Sequence, residues 1–312
     1  MEKQVFRRRL VGPCVPVVTF YDKELRLDLD RLRAHIRFLI EGGIREGSGF
    51  LLVGGAGGDF PLLTLEERKQ VAAAAIEEAA GKVPVVVGAQ DSNPQVTIGL
   101  ANYAAQLGAD AVQISPPYYF TPSDEDILRL FHTFSREIRT GIMLYNTPWE
   151  GKNIGLELLG ELIELRNVVA VKWAAPTLHE YRMGLYLYSE KVAMINNMAM
   201  AVWAMMLGCT GFITHLANIW PEHEVETYNL IKEGRFPEAL ERQKRLWLPW
   251  YNFRVEMARR TAGESSVVKA ALEMVGQPPA GPVRPPAREL RPEEKEELRE
   301  VLVRGGVTTL NG

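Results

Sequence analysis

Two side chains with distinctive chemistry stand at the ends of consecutive apolar segments. Lys172 closes the segment VVAVK, and Tyr145 is the last residue but one of GIMLYN. Burial lowers the pKa of a lysine, and the neutral amine is the nucleophile that adds to a carbonyl group. A phenol can donate and accept the protons that carbinolamine formation and dehydration require. The pair therefore indicates Schiff-base chemistry, unless Lys172 extends its ammonium group to solvent and Tyr145 only packs.

A glycine-rich segment could bind the other end of such a substrate. GGAGGDF at 54–60 follows the apolar segment FLLV at 50–53. Glycines permit positive φ angles and close backbone approach, so successive N–H groups can surround an anion such as a carboxylate. Many loops of this kind are simply tight turns. Combined with Lys172, the loop predicts a site for a small 2-keto acid.

The spacing of apolar segments predicts the elements that must position these groups. From residue 11 to about 233, short β-branched segments alternate with longer helical patterns, as parallel βαβ units require. The eight predicted strands cover 11–18, 50–53, 83–89, 111–115, 141–146, 168–172, 192–196 and 211–214. That number is typical of an α/β fold of the (β/α)8 TIM barrel type, whose active site forms at the C-terminal ends of the strands. A doubly wound sheet is the alternative, but no dinucleotide-binding fingerprint follows the first strand.

The helical patterns divide the chain into two regions. Residues 1–233 are predicted to form the catalytic barrel domain, and residues 234–312 an all-helical C-terminal extension packed on the barrel. A proline-rich stretch at 278–287 is predicted to be an ordered connector before the last helix. The helical patterns of the extension lie at 236–263, 264–276 and 291–306.

The composition argues against several classes of partner. Hydrophobic residues make up 46% of the 312, and 36 Lys and Arg against 39 Asp and Glu give a net charge of -3. That balance gives no reason to expect a nucleic acid or an anionic membrane as partner. Cys14 and Cys209 are predicted to be free thiols in a reducing cytoplasm. The sequence shows no signal peptide, transmembrane segment or cluster of metal ligands, so we expect a cytoplasmic protein without a metal.

Six segments in chain order resemble the dihydrodipicolinate synthase and N-acetylneuraminate lyase superfamily, from about residue 11 to the C-terminus. They are PVVTFY, GAGGDFPLLTLEER at 55–68, the run from VPVVVGA to PPYY at 83–119, LYNTP at 144–148, VAVK at 169–172 and GFITHLANIWPE at 211–222. The resemblance implies a barrel with a helical C-terminal extension, usually as a homotetramer. It also implies pyruvate-type chemistry through a covalent lysine imine, with no separate cofactor.

The resemblance assigns roles to particular residues. Lys172 is identified as the imine former and Tyr145 as the proton shuttle. Tyr119 matches a tyrosine that in relatives reaches across a dimer interface toward the neighbouring site, although it could be a plain interface aromatic. The backbone N–H groups of Ala56 and Gly57 are expected to hold the keto-acid carboxylate. The residues predicted to bind substrate are Ala56, Gly57, Gly58, Asn196, Thr214 and His215.

The glycine-rich loop departs from the pattern of the superfamily. Ala56 and Gly57 stand where relatives carry paired threonines, so the hydroxyl that links two tyrosines in a proton relay is missing. Asp59 stands where a glutamate is usual. These changes put dihydrodipicolinate synthase activity itself in doubt, but they leave imine formation possible.

Other departures lie at the ends of the later strands. The carboxylate-binding arginine that follows LYNTP in the synthases is absent, and Glu150 lies in that region. Asn196 and Asn197 occupy the positions of a usual glycine and aspartate. His215 stands where relatives carry an apolar residue, and it is either an extra acid-base group or a packed, hydrogen-bonded histidine.

These features predict a lyase that joins a small 2-keto acid to an aldehyde, or cleaves the product. A neutral, apolar or aromatic aldehyde is expected rather than aspartate semialdehyde, because the arginine is missing. Trp149, Trp173 and Trp220 are predicted near the barrel mouth, where an indole could stack on an aromatic ring or could only pack. The alternatives are a dehydratase or hydratase-aldolase that uses the same imine, and a barrel that only binds metabolites.

Overall fold

Eight parallel strands form a closed barrel in chain order, so each strand pairs with its neighbours in sequence and β8 pairs with β1. The computed structural model describes residues 2–278 and 280–310, and Pro279 of the predicted connector lies outside the described residues. All eight predicted strands are confirmed: six are slightly shorter than predicted, the second has the predicted bounds, and the sixth extends one residue further, to Trp173. They are β1 (Gly12–Pro16), β2 (Phe50–Val53), β3 (Val85–Gly88), β4 (Ala111–Ile114), β5 (Gly141–Tyr145), β6 (Val168–Trp173), β7 (Ala193–Asn196) and β8 (Gly211–Ile213).

The barrel is solid because apolar side chains from alternate strand positions fill its interior. A cluster that includes Cys14, Phe50, Met143 and Ile195 forms this inner core. Helix α1 (Lys3–Arg9), which the sequence analysis did not predict, contributes Phe6 to the same cluster. The short helix therefore covers one end of the barrel and leaves the other end for the site.

On the outside of the barrel, one helix follows each strand along the chain. These helices are α2 (Leu29–Glu41), α3 (Leu65–Ala79), α4 (Pro94–Gln106), α5 (Asp124–Glu137), α6 (Leu156–Glu164), α7 (Leu178–Tyr188), α8 (Ala201–Met206) and α9 (Pro221–Lys232). Side-chain caps define several of their first residues. Asn93 accepts a hydrogen bond from the backbone of Gln95 at the start of α4, and Thr64 forms a capping box with Glu67 at the start of α3.

The C-terminal extension consists of α10 (Phe236–Arg242), α11 (Leu248–Thr261), α12 (Ser265–Met274) and α13 (Pro292–Gly305). A π-helical turn, Gln243–Trp247, joins α10 to α11 without a break. Buried residues of the extension, such as Trp250, Phe253 and Leu298, belong to one hydrophobic cluster with the helices of the barrel. The extension is therefore packed on the barrel. Within the described residues, no helix is long and apolar enough to cross a membrane.

Arg284 ties the connector before α13 to the barrel. Its guanidinium donates hydrogen bonds to both carboxylate oxygens of Glu67, at 2.9 and 2.5 Å, and to the backbone carbonyls of Leu25 and Leu62. Nearby, Lys269 of α12 lies 3.9 Å from Asp59, which ends the glycine-rich loop. The extension thus holds both ends of the segment that follows β2.

We predict that Arg284→Gln lowers the free energy of unfolding by at least about 2 kcal/mol, because charge-assisted hydrogen bonds are lost and two carbonyls lose their donor. The bonds from Arg284 lower the pKa of Glu67 from 4.5 to about 2. The stabilisation is therefore present at neutral pH and is lost as the pH falls from about 4.5 toward 2. Urea unfolding at pH 7 and pH 3 measures both effects. Arg304→Gln, which removes a solvent-exposed ion pair with Glu300, is the matched control, and an equal loss in both variants would contradict the prediction.

Candidate active site

Lys172 lies inside the open end of the barrel. It stands opposite Tyr145 of β5 and Ile195 of β7 in the strand register, and it is only 5% exposed. Its Nζ lies 3.8 Å from the centroid of the Tyr145 ring. Burial lowers the pKa of Lys172 from 10.5 to about 8. At neutral pH, Lys172 is then in its neutral, nucleophilic form in roughly a tenth of the molecules. This fraction is several hundred times larger than for a lysine with an ordinary pKa.

Tyr145 contributes a phenol that remains protonated at neutral pH. Burial raises the pKa of Tyr145, and the nearby carboxylate of Glu264 adds to the effect, whereas a hydrogen bond with the Asn197 side chain opposes it. A protonated phenol beside the amine can donate a proton to a carbonyl oxygen. The structure therefore brings together the two residues that the sequence analysis placed at the centre of the chemistry.

The glycine-rich loop forms a 3-10 turn, Ala56–Gly58, directly after β2. The first N–H groups of such a turn have no acceptor within it, so those of Ala56 and Gly57 are available to an anion. Ala56 lines the cavity above Lys172. Gly58 is packed closely against the backbone of Val17: a Cβ at position 58 would lie 2.8 Å from the Val17 carbonyl oxygen.

His215 occupies the space that a side chain at position 57 would need. A Cβ on Gly57 would lie 2.8 Å from His215 Nε2. The imidazole is 7% exposed and lies 3.2 Å from Glu264 Oε2, so it is a packed, hydrogen-bonded histidine that also lines the cavity. Burial, with help from the Arg254 charge, lowers the pKa of His215 to about 4. The ring is therefore neutral at physiological pH, and it fills the space beside Gly57.

Thr214 and Asn196 have different placements, although both were predicted to bind substrate. Thr214 lines the cavity, and its buried Oγ1 has no hydrogen-bond partner among the described residues. Asn196 is fully buried, and its side chain bonds to Tyr181 and to the backbone of Met198. The side chain that lines the cavity is that of the next residue, Asn197, so the prediction for the Asn196 side chain needs this correction.

Tyr119 lies on the surface of the chain and is not among the residues that line the cavity. It is 81% exposed, and its ring packs edge-on against Phe120, which is 79% exposed. The expected role of Tyr119 at a neighbouring site depends on a second copy of the chain, so that role stays a prediction.

The cavity above Lys172 has a volume of about 680 Å³, much more than a three-carbon keto acid fills. The barrel contributes the side with Lys172, Tyr145 and Thr214, and the extension contributes the opposite side. The lining residues from the extension are Trp247, Trp250, Tyr251, Arg254, Val255, Ala258, Arg259, Ala262, Gly263 and Glu264.

The extension supplies functional candidates that the sequence analysis missed. Arg254 and Glu264 place a guanidinium and a carboxylate in the cavity, although no arginine was expected there. Of the three tryptophans predicted at the mouth, only Trp149 lines the cavity. Trp173 is fully buried with its indole N–H bonded to Tyr181, and Trp220 packs against His223.

Comparison with known proteins finds the family that the sequence resembles, and the match covers nearly the whole chain. The profile of the Dihydrodipicolinate synthetase family matches residues 9–304. A 4-hydroxy-tetrahydrodipicolinate synthase of Methanocaldococcus jannaschii is 34% identical over 293 residues, which are 92% of this chain and 95% of that protein. An uncharacterised DapA-like lyase of Halobacterium salinarum is 29% identical over 290 residues, covering 93% of this chain and 92% of the relative.

Solved structures agree with the sequence matches. A dihydrodipicolinate synthase superposes with a TM-score of 0.85 at 30% identity, covering 96% of this chain and all of the other (100%). YagE, a prophage protein of the same family from E. coli K12 in complex with pyruvate, gives a TM-score of 0.86 at 25% identity, covering 95% of this chain and 99% of its own. The barrel and the extension are thus shared with these proteins.

The charges around Lys172 predict how its titration responds to substitution. Glu264 raises and Arg254 lowers the pKa of Lys172, while burial dominates. The amine is reactive only when deprotonated, so its rate of labelling by acetic anhydride should rise with pH through about 8. Glu264→Gln should move this midpoint to lower pH, and Arg254→Gln to higher pH. Competitive labelling followed by peptide mass spectrometry measures both shifts, and shifts in the same direction would contradict the proposed geometry.

Proposed function

The chain belongs to the dihydrodipicolinate synthetase family and is a lyase of that family, and from this premise we propose that Lys172 forms an imine with pyruvate or a related small 2-keto acid. The observation that carries the proposal is the buried amine of Lys172, with a lowered pKa, directly over the ring of Tyr145. The pyruvate complex of the related E. coli protein supports the choice of keto acid. A barrel that only binds metabolites has no use for such a nucleophile.

In the proposed first step, the backbone N–H groups of Ala56 and Gly57 hold the carboxylate, and Thr214 Oγ1 offers a further hydrogen bond. Nζ of Lys172 forms a bond to C2 of the keto acid while Tyr145 donates its phenol proton to the carbonyl oxygen. The phenolate recovers the proton that the new ammonium centre loses. It then donates that proton to the hydroxyl group, which leaves as water and gives the iminium ion, and a proton from solvent restores the phenol.

In the second step the iminium ion transfers a proton from C3 to a water molecule and becomes an enamine. The enamine carbon attacks an aldehyde while the Tyr145 phenol donates a proton to the aldehyde oxygen, and the phenolate recovers the proton that the water accepted. Hydrolysis of the new iminium ion then releases the product and frees Lys172. Cleavage is the reverse reaction. The carboxylate of Glu264 lies close enough to affect the charge of Lys172, so it also stabilises the positive iminium ion. The imine itself accepts the electron pair, and the proposed chemistry therefore uses no separate cofactor or metal.

We further propose a neutral, apolar or aromatic aldehyde as the second substrate. Trp247, Trp250 and Tyr251 line the cavity opposite Lys172. Arg254 is present, but its charge is balanced by Glu264 at 3.5 Å. Glu150, at the mouth, would repel a second anion. The same cavity suits the hydratase-aldolase reaction. In that reaction, the product that the enamine forms with the aldehyde also loses water, or gains it in the reverse direction.

A homotetramer in the cytoplasm is the proposed state of the protein. The exposed aromatic pair of Tyr119 and Phe120 supports this proposal, because large apolar side chains that stand together on a surface usually mark an interface. In that arrangement, Tyr119 would approach the site of a neighbouring copy.

Borohydride trapping tests the imine directly. We expect pyruvate and borohydride together to add a reduced three-carbon unit to Lys172, because reduction makes the imine permanent. Intact-protein and peptide mass spectrometry locate the adduct. Lys269→Met is a useful control, because Lys269 is the other buried lysine with a pKa lowered to about 8, but it faces Asp59 and Pro282. Loss of the adduct in Lys172→Met but not in Lys269→Met is the expected result; an adduct that survives in Lys172→Met would overturn the mechanism.

Tyr145→Phe should slow turnover far more than it weakens binding of the keto acid. Loss of a general acid typically reduces the rate by about 10²–10⁴-fold, whereas the proposed carboxylate contacts come from the 56–57 backbone and remain. Steady-state kcat and the dissociation constant of pyruvate separate the two effects. A decrease in kcat of less than about threefold would mean that another group, such as His215 or Tyr119, moves the proton.

A further inference from the structure

One face of the C-terminal extension forms a continuous wall of the cavity. Trp247, Tyr251, Arg254, Ala258 and Ala262 all line it and follow one another at intervals of three or four residues. This spacing places them on a single face of α11 and of the residues that flank it, Trp247 of the π-helical turn and Ala262 at the C-terminal cap. Arg254 stands in the middle of this row between aromatic and apolar side chains, and Arg259, an exposed residue of the same helix, also lines the cavity.

The guanidinium of Arg254 has unused hydrogen-bonding capacity. The side chain is 8% exposed, and Nη1 has no hydrogen-bond partner among the described residues. The nearest carboxylate oxygen, Glu264 Oε1, lies 3.5 Å away, beyond an ordinary hydrogen bond. A buried N–H group without an acceptor is destabilising. A group that fills the cavity beside Arg254 could satisfy it.

Glu264 presents the complementary acceptor. Its side chain is 36% exposed and lines the cavity, while Oε2 is held by His215 at 3.2 Å. Glu264 is the residue immediately before the first turn of α12, where the helix dipole favours a negative charge. Arg254 and Glu264 therefore offer a donor and an acceptor about 3.5 Å apart on the extension side of the cavity.

The charges of the occupied site favour a neutral ligand at this pair. With a keto acid bound as an iminium ion and Tyr145 as a protonated phenol, the positive charges of the imine and Arg254 balance those of the keto-acid carboxylate and Glu264. The other charged side chains of the lining are exposed to solvent or paired with another charge: Glu150 and Arg259 are exposed, and Asp59 faces Lys269. A second carboxylate or an ammonium group would leave one buried charge without a partner, which is costly. A hydroxyl group is neutral, and it donates one hydrogen bond while it accepts others.

We propose that Arg254 and Glu264 form a recognition site for a hydroxyl group on the second substrate, whose apolar or aromatic body lies along α11. The hydroxyl donates to Glu264 and accepts from Arg254. This inference rests on the proposed function for its biological meaning. It makes the C-terminal extension, which is outside the barrel, the part of the chain that selects the second substrate.

Calorimetric binding of acetophenone and its three ring-hydroxylated isomers, with pyruvate present, tests the proposal without requiring turnover. We expect one hydroxylated isomer to bind about tenfold to a hundredfold more tightly than acetophenone, because hydrogen bonds to charged groups typically increase the affinity by that factor. Arg254→Met and Glu264→Gln should each reduce that preference to less than about threefold. The double variant, in which the charges are again balanced, should show the same loss.

The solvent face of α11 provides a matched control. Glu256 and Arg260 form an ion pair there, so Arg260→Met changes the same residue type on the same helix and should leave the hydroxyl preference intact. Equal binding of all four ligands to the wild type would overturn the proposal, as would a preference that persists in both cavity variants. Tighter binding of an acetylbenzoate would show that Arg254 recognises a carboxylate instead. If the hydroxyl preference is present but borohydride traps no pyruvate, the recognition site stands and the proposed imine chemistry fails.

Discussion

The rest of the site depends on the burial of one amine at the end of β6. An ammonium group loses hydration when it is buried, so the neutral form of Lys172 becomes accessible near neutral pH. Among the described residues, no carboxylate forms an ion pair with Lys172, and its pKa is set mainly by burial. Cys14, whose thiol is itself kept protonated by burial, lies inside the barrel near Lys172, and the Tyr145 ring packs against the amine. Glu264 is near enough to stabilise a positive imine, but its hydrogen bond goes to His215.

The residues around that amine come from two regions of the chain, the barrel and the C-terminal extension. The barrel supplies the nucleophile, the phenol and the backbone N–H groups that suit a keto acid. The extension supplies the opposite wall, with its aromatic face and the pair formed by Arg254 and Glu264. Arg284 and Lys269 hold the extension against the segment that follows β2, at Glu67 and Asp59 respectively, so the two halves keep a fixed separation. In the proposed function, the barrel carries out the imine chemistry and the extension selects the second substrate.

The sequence predicted the barrel half of the site because its geometry follows from local pattern. Consecutive strands of a parallel barrel are neighbours, so the ends of VVAVK and GIMLYN had to place Lys172 beside Tyr145. Alternation along β6 also explains why Trp173 faces away from the cavity once Lys172 faces into it. The positions of Arg254 and Glu264 could not be predicted, because they depend on how a helix outside the repeating units packs on the barrel. The regular spacing of the cavity-lining face of α11 was the available signal, but it resembles an ordinary buried helix face.

A crystal structure of the enzyme soaked with pyruvate tests the central claim most directly. The account predicts continuous density from Lys172 Nζ to C2 of the keto acid, with the carboxylate against the N–H groups of Ala56 and Gly57. It also predicts that the space along α11 remains free for the second substrate. Pyruvate bound non-covalently, or bound with its carboxylate on Arg254, would contradict the division of the site between barrel and extension.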